Sequence, residues 1–100
     1  MINSFNSKNQ QDFNHEKFLK KAIQLHKKGE IKKAIDIYFK LIKKDKDNIR
    51  LLSLLGIANL QINKNTIGIE YLKKILILNP NDIPAMINIG NGYKNIKKYD

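Results

Sequence analysis

The 100-residue chain has no cysteine, which excludes disulfides and thiolate metal ligands and removes any need for an oxidising compartment. Arginine is nearly absent, Arg50 being the only one. Long apolar runs are missing too. No stretch approaches the roughly 20 consecutive apolar residues of a membrane span, and the opening MINSFNSKNQQDFNHEK lacks the apolar core of a secretory signal. The expected product is a soluble, unprocessed, cytoplasmic protein with no membrane partner. Proline occurs only at positions 80 and 84, and both mark a boundary described below.

What is present is strongly basic, with a formal net charge of +10 carried almost wholly by lysine. Such a charge commonly points to nucleic acid or an acidic surface. Here, Lys, Ile and Asn fill nearly half the chain, far from average usage. All three have A/T-rich codons, so base composition explains much of the excess. The lysine pairs at 20–21, 27–28, 32–33, 43–44, 73–74 and 97–98 recur around several faces and flank helix ends, the pattern of a solvated surface. No basic stripe interleaved with aromatics is visible, and with one arginine the sequence argues against nucleic acid as partner. The length suits one domain with a modest core.

Residues 1–14 are polar and show no helical period, and are read as a disordered lead-in. From His15 the apolar residues recur at three- and four-residue spacings through Phe18, Ala22, Leu25, Ile31, Ala34 or Ile35, Tyr38, and Leu41 or Ile42, which predicts two amphipathic helices split at Gly29. Asp45, Asp47 and Asn48 form the next break, with Asp47 or Asn48 as the N-cap of a third helix carrying Leu51, Leu52, Leu55, Ala58 and Ile62. Asn63 to Asn65 breaks the pattern again before a fourth helix over 67–78. Asn79-Pro80-Asn81-Asp82 stops that helix, because Pro80 lacks an amide donor and restricts Asn79. A fifth helix is predicted from near Asp82, with Pro84 in its tolerant first turn. Three acid-before-base pairs, Glu16/Lys20, Asp36/Lys40 and Glu70/Lys74, sit at i,i+4 on the outer faces.

Self-similarity organises these helices. Ala22, Gly56 and Gly90 are spaced by 34 residues, as are Ala34 and Gly68. The second period supplies Leu52, Leu55 and Gly56, then Gly68, Leu72 and Pro80. The first supplies Phe18, Ala22, Leu25, Ala34 and Tyr38, and the third Met86, Ile89, Gly90 and Tyr93. A 34-residue helix-turn-helix unit with this order of small and large residues resembles the tetratricopeptide repeat (TPR). The resemblance covers residues 15–100 and departs from the pattern at Lys21, Lys46, Asn59 and Gly68. It implies an all-α solenoid of about two and a half repeats in a right-handed superhelical stack. The repeats would cover 15–48, 49–82 and a truncated 83–100, with Ile96 to Tyr99 forming the turn of the third and its second helix missing.

By the same resemblance, the first helix of each repeat lines a concave face that binds a protein or peptide without chemistry of its own. The positions it implicates are Leu19, Ile23, His26 and Lys27 in the first repeat, Arg50, Ser53, Ile57 and Leu60 in the second, and Ile87, Asn88, Asn91, Lys94 and Asn95 in the third. Asn88, Asn91 and Asn95 share one helix face, and Asn88-Ile89-Gly90-Asn91 is similar to the N-L-G-N pattern in the repeat arms of O-linked N-acetylglucosamine transferases. The asparagines read first as solvated residues of a biased composition, with a ladder for an extended peptide backbone as the alternative. Arrays of this type also precede glycosyltransferase or sulfotransferase domains, so a second reading is a substrate-selecting arm followed by further repeats or a transferase domain.

No catalytic residue, cofactor or metal is expected. His15 and His26 share a face but lie about 16 Å apart along a helix at 1.5 Å per residue, too far to ligate one ion. There is no Gly-rich phosphate loop and no Ser-His-acid set with motif support. The acids Glu30, Asp36, Glu70 and Asp82 fall at turns or outer faces, where solvation and capping account for them.

Overall fold

A computed structural model describes residues 2–99, and the side chains of residues 14–98. It is all-α: α1 (Ile2–Lys27), α2 (Ile31–Ile42), α3 (Ile49–Gln61), α4 (Asn65–Leu78) and α5 (Ile83–Tyr99). Each helix packs on the next in sequence, and α3 also touches α5. Short connections force this arrangement, since a loop of a few residues returns the chain against the helix it has just left.

The breaks repeat as the helices do. At the end of α1, Gly29 adopts φ +86°, its amide donates to the His26 carbonyl, and the Glu30 amide donates to that of Leu25 at 2.9 Å. At the end of α3, Asn63 takes φ 64°, with Asn63 bonding Leu60 and Lys64 bonding Asn59 in the same pattern. Both are left-handed C-terminal caps that satisfy otherwise orphaned carbonyls, and Gly and Asn are the residues that enter this region at least cost. The helix starts correspond as well. Asn48 accepts from the Leu51 amide at 3.0 Å and Asp82 from the Ala85 amide at 2.9 Å, so the sequence reading of the caps resolves to Asn48. Both caps and both C-terminal turns stand 34 residues apart.

Three expectations change. Residues 2–14, read as a disordered lead-in, are the first turns of α1. Lengthening an existing helix costs far less than nucleating one. Ile96 to Tyr99, read as a turn, is the last turn of α5. Lys97 occupies the position of Gly29 and Asn63, and a lysine resists the positive φ that turned the chain there. The three i,i+4 ion pairs are not formed; the ion pair among the described residues joins Lys33 to Glu30 at 3.2 Å. Exposed pairs gain little against the entropy of fixing two long side chains.

The core is one continuous cluster. Ala22, Ala34 and Tyr38 close α1 on α2, Leu51, Leu52 and Leu55 lie at its centre, and Leu72, Ile75 and Ala85 extend it through α4 to α5. The closest approach is between α3 and α4. A Cβ on Gly56 would lie 2.6 Å from Cγ of Leu72, and one on Gly68 would lie 2.8 Å from the Gly56 carbonyl oxygen. Two glycines face each other there, so the helix backbones meet almost without side chains between them. Asn59, where the repeat pattern has tyrosine, is buried and donates its Nδ2 to the Leu55 carbonyl at 2.8 Å, which satisfies an amide that burial would otherwise penalise. Lys21, where leucine is usual, is exposed.

Candidate functional site

The odd-numbered helices lie beside one another. His26 on α1 bonds Gln61 on α3, and α3 in turn contacts α5, where a Cβ on Gly92 would meet Leu60 at 3.0 Å. The candidate groove therefore runs across α1, α3 and α5, and the structure sorts its expected residues into three groups.

Ile23, Ser53, Ile57 and Asn88 are half-buried, and Lys27, Arg50, Ile87, Asn91 and Lys94 are exposed, so these nine can reach a partner. Leu19 and Leu60 cannot: both are buried core residues. Each sits on the side of its helix that turns toward a neighbour, and a leucine gains more from that burial than from a partner-facing edge. His26 and Asn95 are engaged internally. Asn95 donates to the buried Asn65 on α4 at 3.3 Å, which removes it from the expected three-asparagine ladder and leaves Asn88 and Asn91.

His26 is held between two helices. Its Nδ1 lies 3.0 Å from the Tyr38 hydroxyl and its Nε2 bonds Oε1 of Gln61. An amide oxygen only accepts, so Nε2 donates to Gln61, and in the neutral ring with that tautomer Nδ1 accepts from the tyrosine hydroxyl. The rings of His26 and Tyr38 stand 5.8 Å apart at 60°, a tilted contact suited to their quadrupoles. The chain Tyr38, His26, Gln61 thus ties α2, α1 and α3 together. Gln61 escaped the sequence reading, although it occupies the same position in the period as Lys27 and Asn95. Its signal was present in that spacing.

Burial of Tyr38 pushes its phenol above the usual range, with Arg50 pulling it the other way. A group whose folded value is raised contributes stability that is complete below its unfolded value of about 10 and is lost as the pH rises through the folded one. Tyr38→Phe is expected to cost about 1 kcal/mol at neutral pH through the lost hydrogen bond, and to flatten the loss of stability above about pH 10. Thermal melts of both chains from neutral to alkaline pH check this. Parallel alkaline slopes would contradict it.

The exposed cations of the candidate groove, Lys27, Arg50 and Lys94, have no acid among the nine available positions to oppose them. An open depression of about 510 Å³ along the end of α5 is lined by Asn91, Lys94, Asn95, Lys97 and Lys98. All five belong to one helix, so it has no second wall and does not form an enclosed pocket. Among the described residues, no group of three or more His, Cys, Asp or Glu side chains could hold a metal ion. No helix among them is long and apolar enough to cross a membrane.

Compared with known proteins, the chain matches no family model and no curated sequence.

Proposed function

We propose that this chain is a tetratricopeptide-type array of about two and a half repeats, a right-handed stack whose concave face binds an extended, acidic peptide or protein segment. The observation that carries the reading is the side-by-side placement of α1, α3 and α5, joined by the His26 to Gln61 bond and the packing of Leu60 beside Gly92. The repetition of caps and turns at 34 residues supports the repeat assignment. The preference for acid follows from Lys27, Arg50 and Lys94. The preference for an extended backbone follows from Asn88 and Asn91, whose amides can each donate and accept.

The test is the double variant Asn88→Ala with Asn91→Ala, titrated with a fluorescein-labelled decapeptide of alternating glutamate and small apolar residues. Each lost amide bond is worth about 1 kcal/mol, so the double variant is expected to bind at least about tenfold more weakly. Unchanged affinity would reject the asparagine ladder. Equal affinity for single-stranded DNA, falling steeply with salt, would replace the peptide with nucleic acid.

A further inference from the structure

The last turns of α2 and α4 carry exposed apolar side chains set among lysines. Both helices are joined to α3 by short turns and pack on it, so their C-terminal ends lie at the same end of the stack. Residues 39–44 read Phe-Lys-Leu-Ile-Lys-Lys and residues 73–78 read Lys-Lys-Ile-Leu-Ile-Leu, five lysines in all and no acid. Phe39, Ile77 and Leu78 are 45%, 80% and 43% exposed, and Lys43 lies over the Phe39 ring at 4.6 Å. The nearest acids in sequence are Asp36 and Glu70, one turn before, and Asp45, which accepts from the Asn48 side-chain amide at 2.9 Å. This exposure does not depend on where the sequence stops. Lys73, Lys74, Ile77 and Leu78 stand 34 residues after Phe39, Lys40, Lys43 and Lys44, and those four are exposed although α3, α4 and α5 follow them. A further helix pair packed in the same register therefore leaves the end of α4 as open as the end of α2. Base composition accounts for lysines, and the helix dipole for lysines in last turns. Neither places a phenylalanine and a leucine in water beside them.

We infer that this end of α2 and α4 is a surface that adsorbs to a bilayer rich in anionic phospholipid. Phe39, Ile77 and Leu78 enter the headgroup layer, while Lys40, Lys43, Lys44 and Lys74 meet the lipid phosphates and carboxylates. Apolar insertion and electrostatic attraction are the two sources of interfacial binding, and the net charge of +10 acts in the same direction at longer range. A lysine stem lies along apolar surface while its ammonium reaches outward, and Lys43 over Phe39 already has this form. No helix among the described residues is long and apolar enough to cross a membrane, and adsorption requires none. Two other occupants fit less well. A protein partner calls for a contiguous apolar centre in which lysine is depleted, whereas here lysines separate the apolar points. Single-stranded nucleic acid calls for aromatic platforms, and two of the three apolar residues are aliphatic.

The surface is separate from the candidate groove and does not depend on it. The chain contains no tryptophan, so Ile77→Trp sets a single fluorescent reporter at the most exposed of the three apolar positions. The full chain is titrated with vesicles of phosphatidylcholine alone and with vesicles containing about one quarter phosphatidylserine. A blue shift with the acidic vesicles and none with the neutral ones is expected. In flotation of the otherwise native chain, Ile77→Ser should weaken binding about tenfold, and Lys43→Gln with Lys74→Gln about twentyfold. The pair Lys20→Gln and Lys28→Gln removes the same charge from α1 and should weaken it less than about threefold. All these positions are exposed, so the fold is kept, which a thermal melt checks. The pair Asn88→Ala and Asn91→Ala should leave vesicle binding intact. Absence of binding to acidic vesicles overturns the inference. So does equal loss in the two lysine pairs without a blue shift, the mark of adsorption by net charge alone. A blue shift with the acidic decapeptide but not with vesicles assigns the surface to a protein and overturns it as well.

Discussion

Leu72→Ala is expected to remove about 2–5 kcal/mol of stability, a large share of the 5–15 kcal/mol typical of a domain. Leu72 is fully buried and leans on Gly56 where α3 and α4 meet. The lost methyl groups carry both their transfer energy and the cavity left behind, and that cavity cannot collapse readily because the glycines already hold the backbones at closest approach. Urea denaturation should show a lower midpoint at an unchanged slope. A loss below about 1 kcal/mol would mean that this helix contact contributes little to the fold.

Gly68→Ala pits local preference against packing. Alanine is the better helix former by about 1 kcal/mol, and on an isolated helix the change would stabilise. In the folded chain the new Cβ would stand 2.8 Å from the Gly56 carbonyl and 2.9 Å from the Leu60 side chain. The first of these is backbone and cannot swing aside, so α4 must move as a whole. Overpacking of this kind costs about 1–3 kcal/mol, and net destabilisation is expected. Gly90→Ala makes the same chemical change with no atom in the way, and is expected to stabilise by about 0.5–1 kcal/mol. Opposite signs in matched melts would show that helix crossing, not glycine itself, decides the effect. Stabilisation at both positions would contradict the packing described for α3 and α4.

The sequence carried the helices clearly because their breakers act locally. Gly29, Asn48, Pro80 and Asp82 each impose a backbone conformation or cap from their own chemistry, and the observed boundaries lie at them. Where breaking depended on the absence of a helix former, the reading failed. The polar residues 2–14 have no apolar stripe, yet nothing in them forbids a helix already under way. Lys97 shows the converse, since a period alone does not make a turn without a residue suited to positive φ.

The candidate groove was legible to the level of the helix face and no further. The resemblance that implicated Leu19 and Leu60 in a partner-facing surface left them free to turn inward, and burial of a leucine decided it. Tertiary partners decided the rest: Asn65 takes up Asn95, and Tyr38 with Gln61 takes up His26. Such bonds span 12 to 35 residues of sequence, beyond the reach of periodicity.

The measurement that tests the central claim most directly is amide chemical-shift mapping of the labelled chain during titration with the acidic decapeptide. A peptide in the groove predicts shifts on three separate helices at once, at Ile23 and Lys27, at Arg50, Ser53 and Ile57, and at Ile87, Asn91 and Lys94. Shifts confined to α2 and α4, or no shifts at saturating peptide, would contradict a binding face shared by α1, α3 and α5.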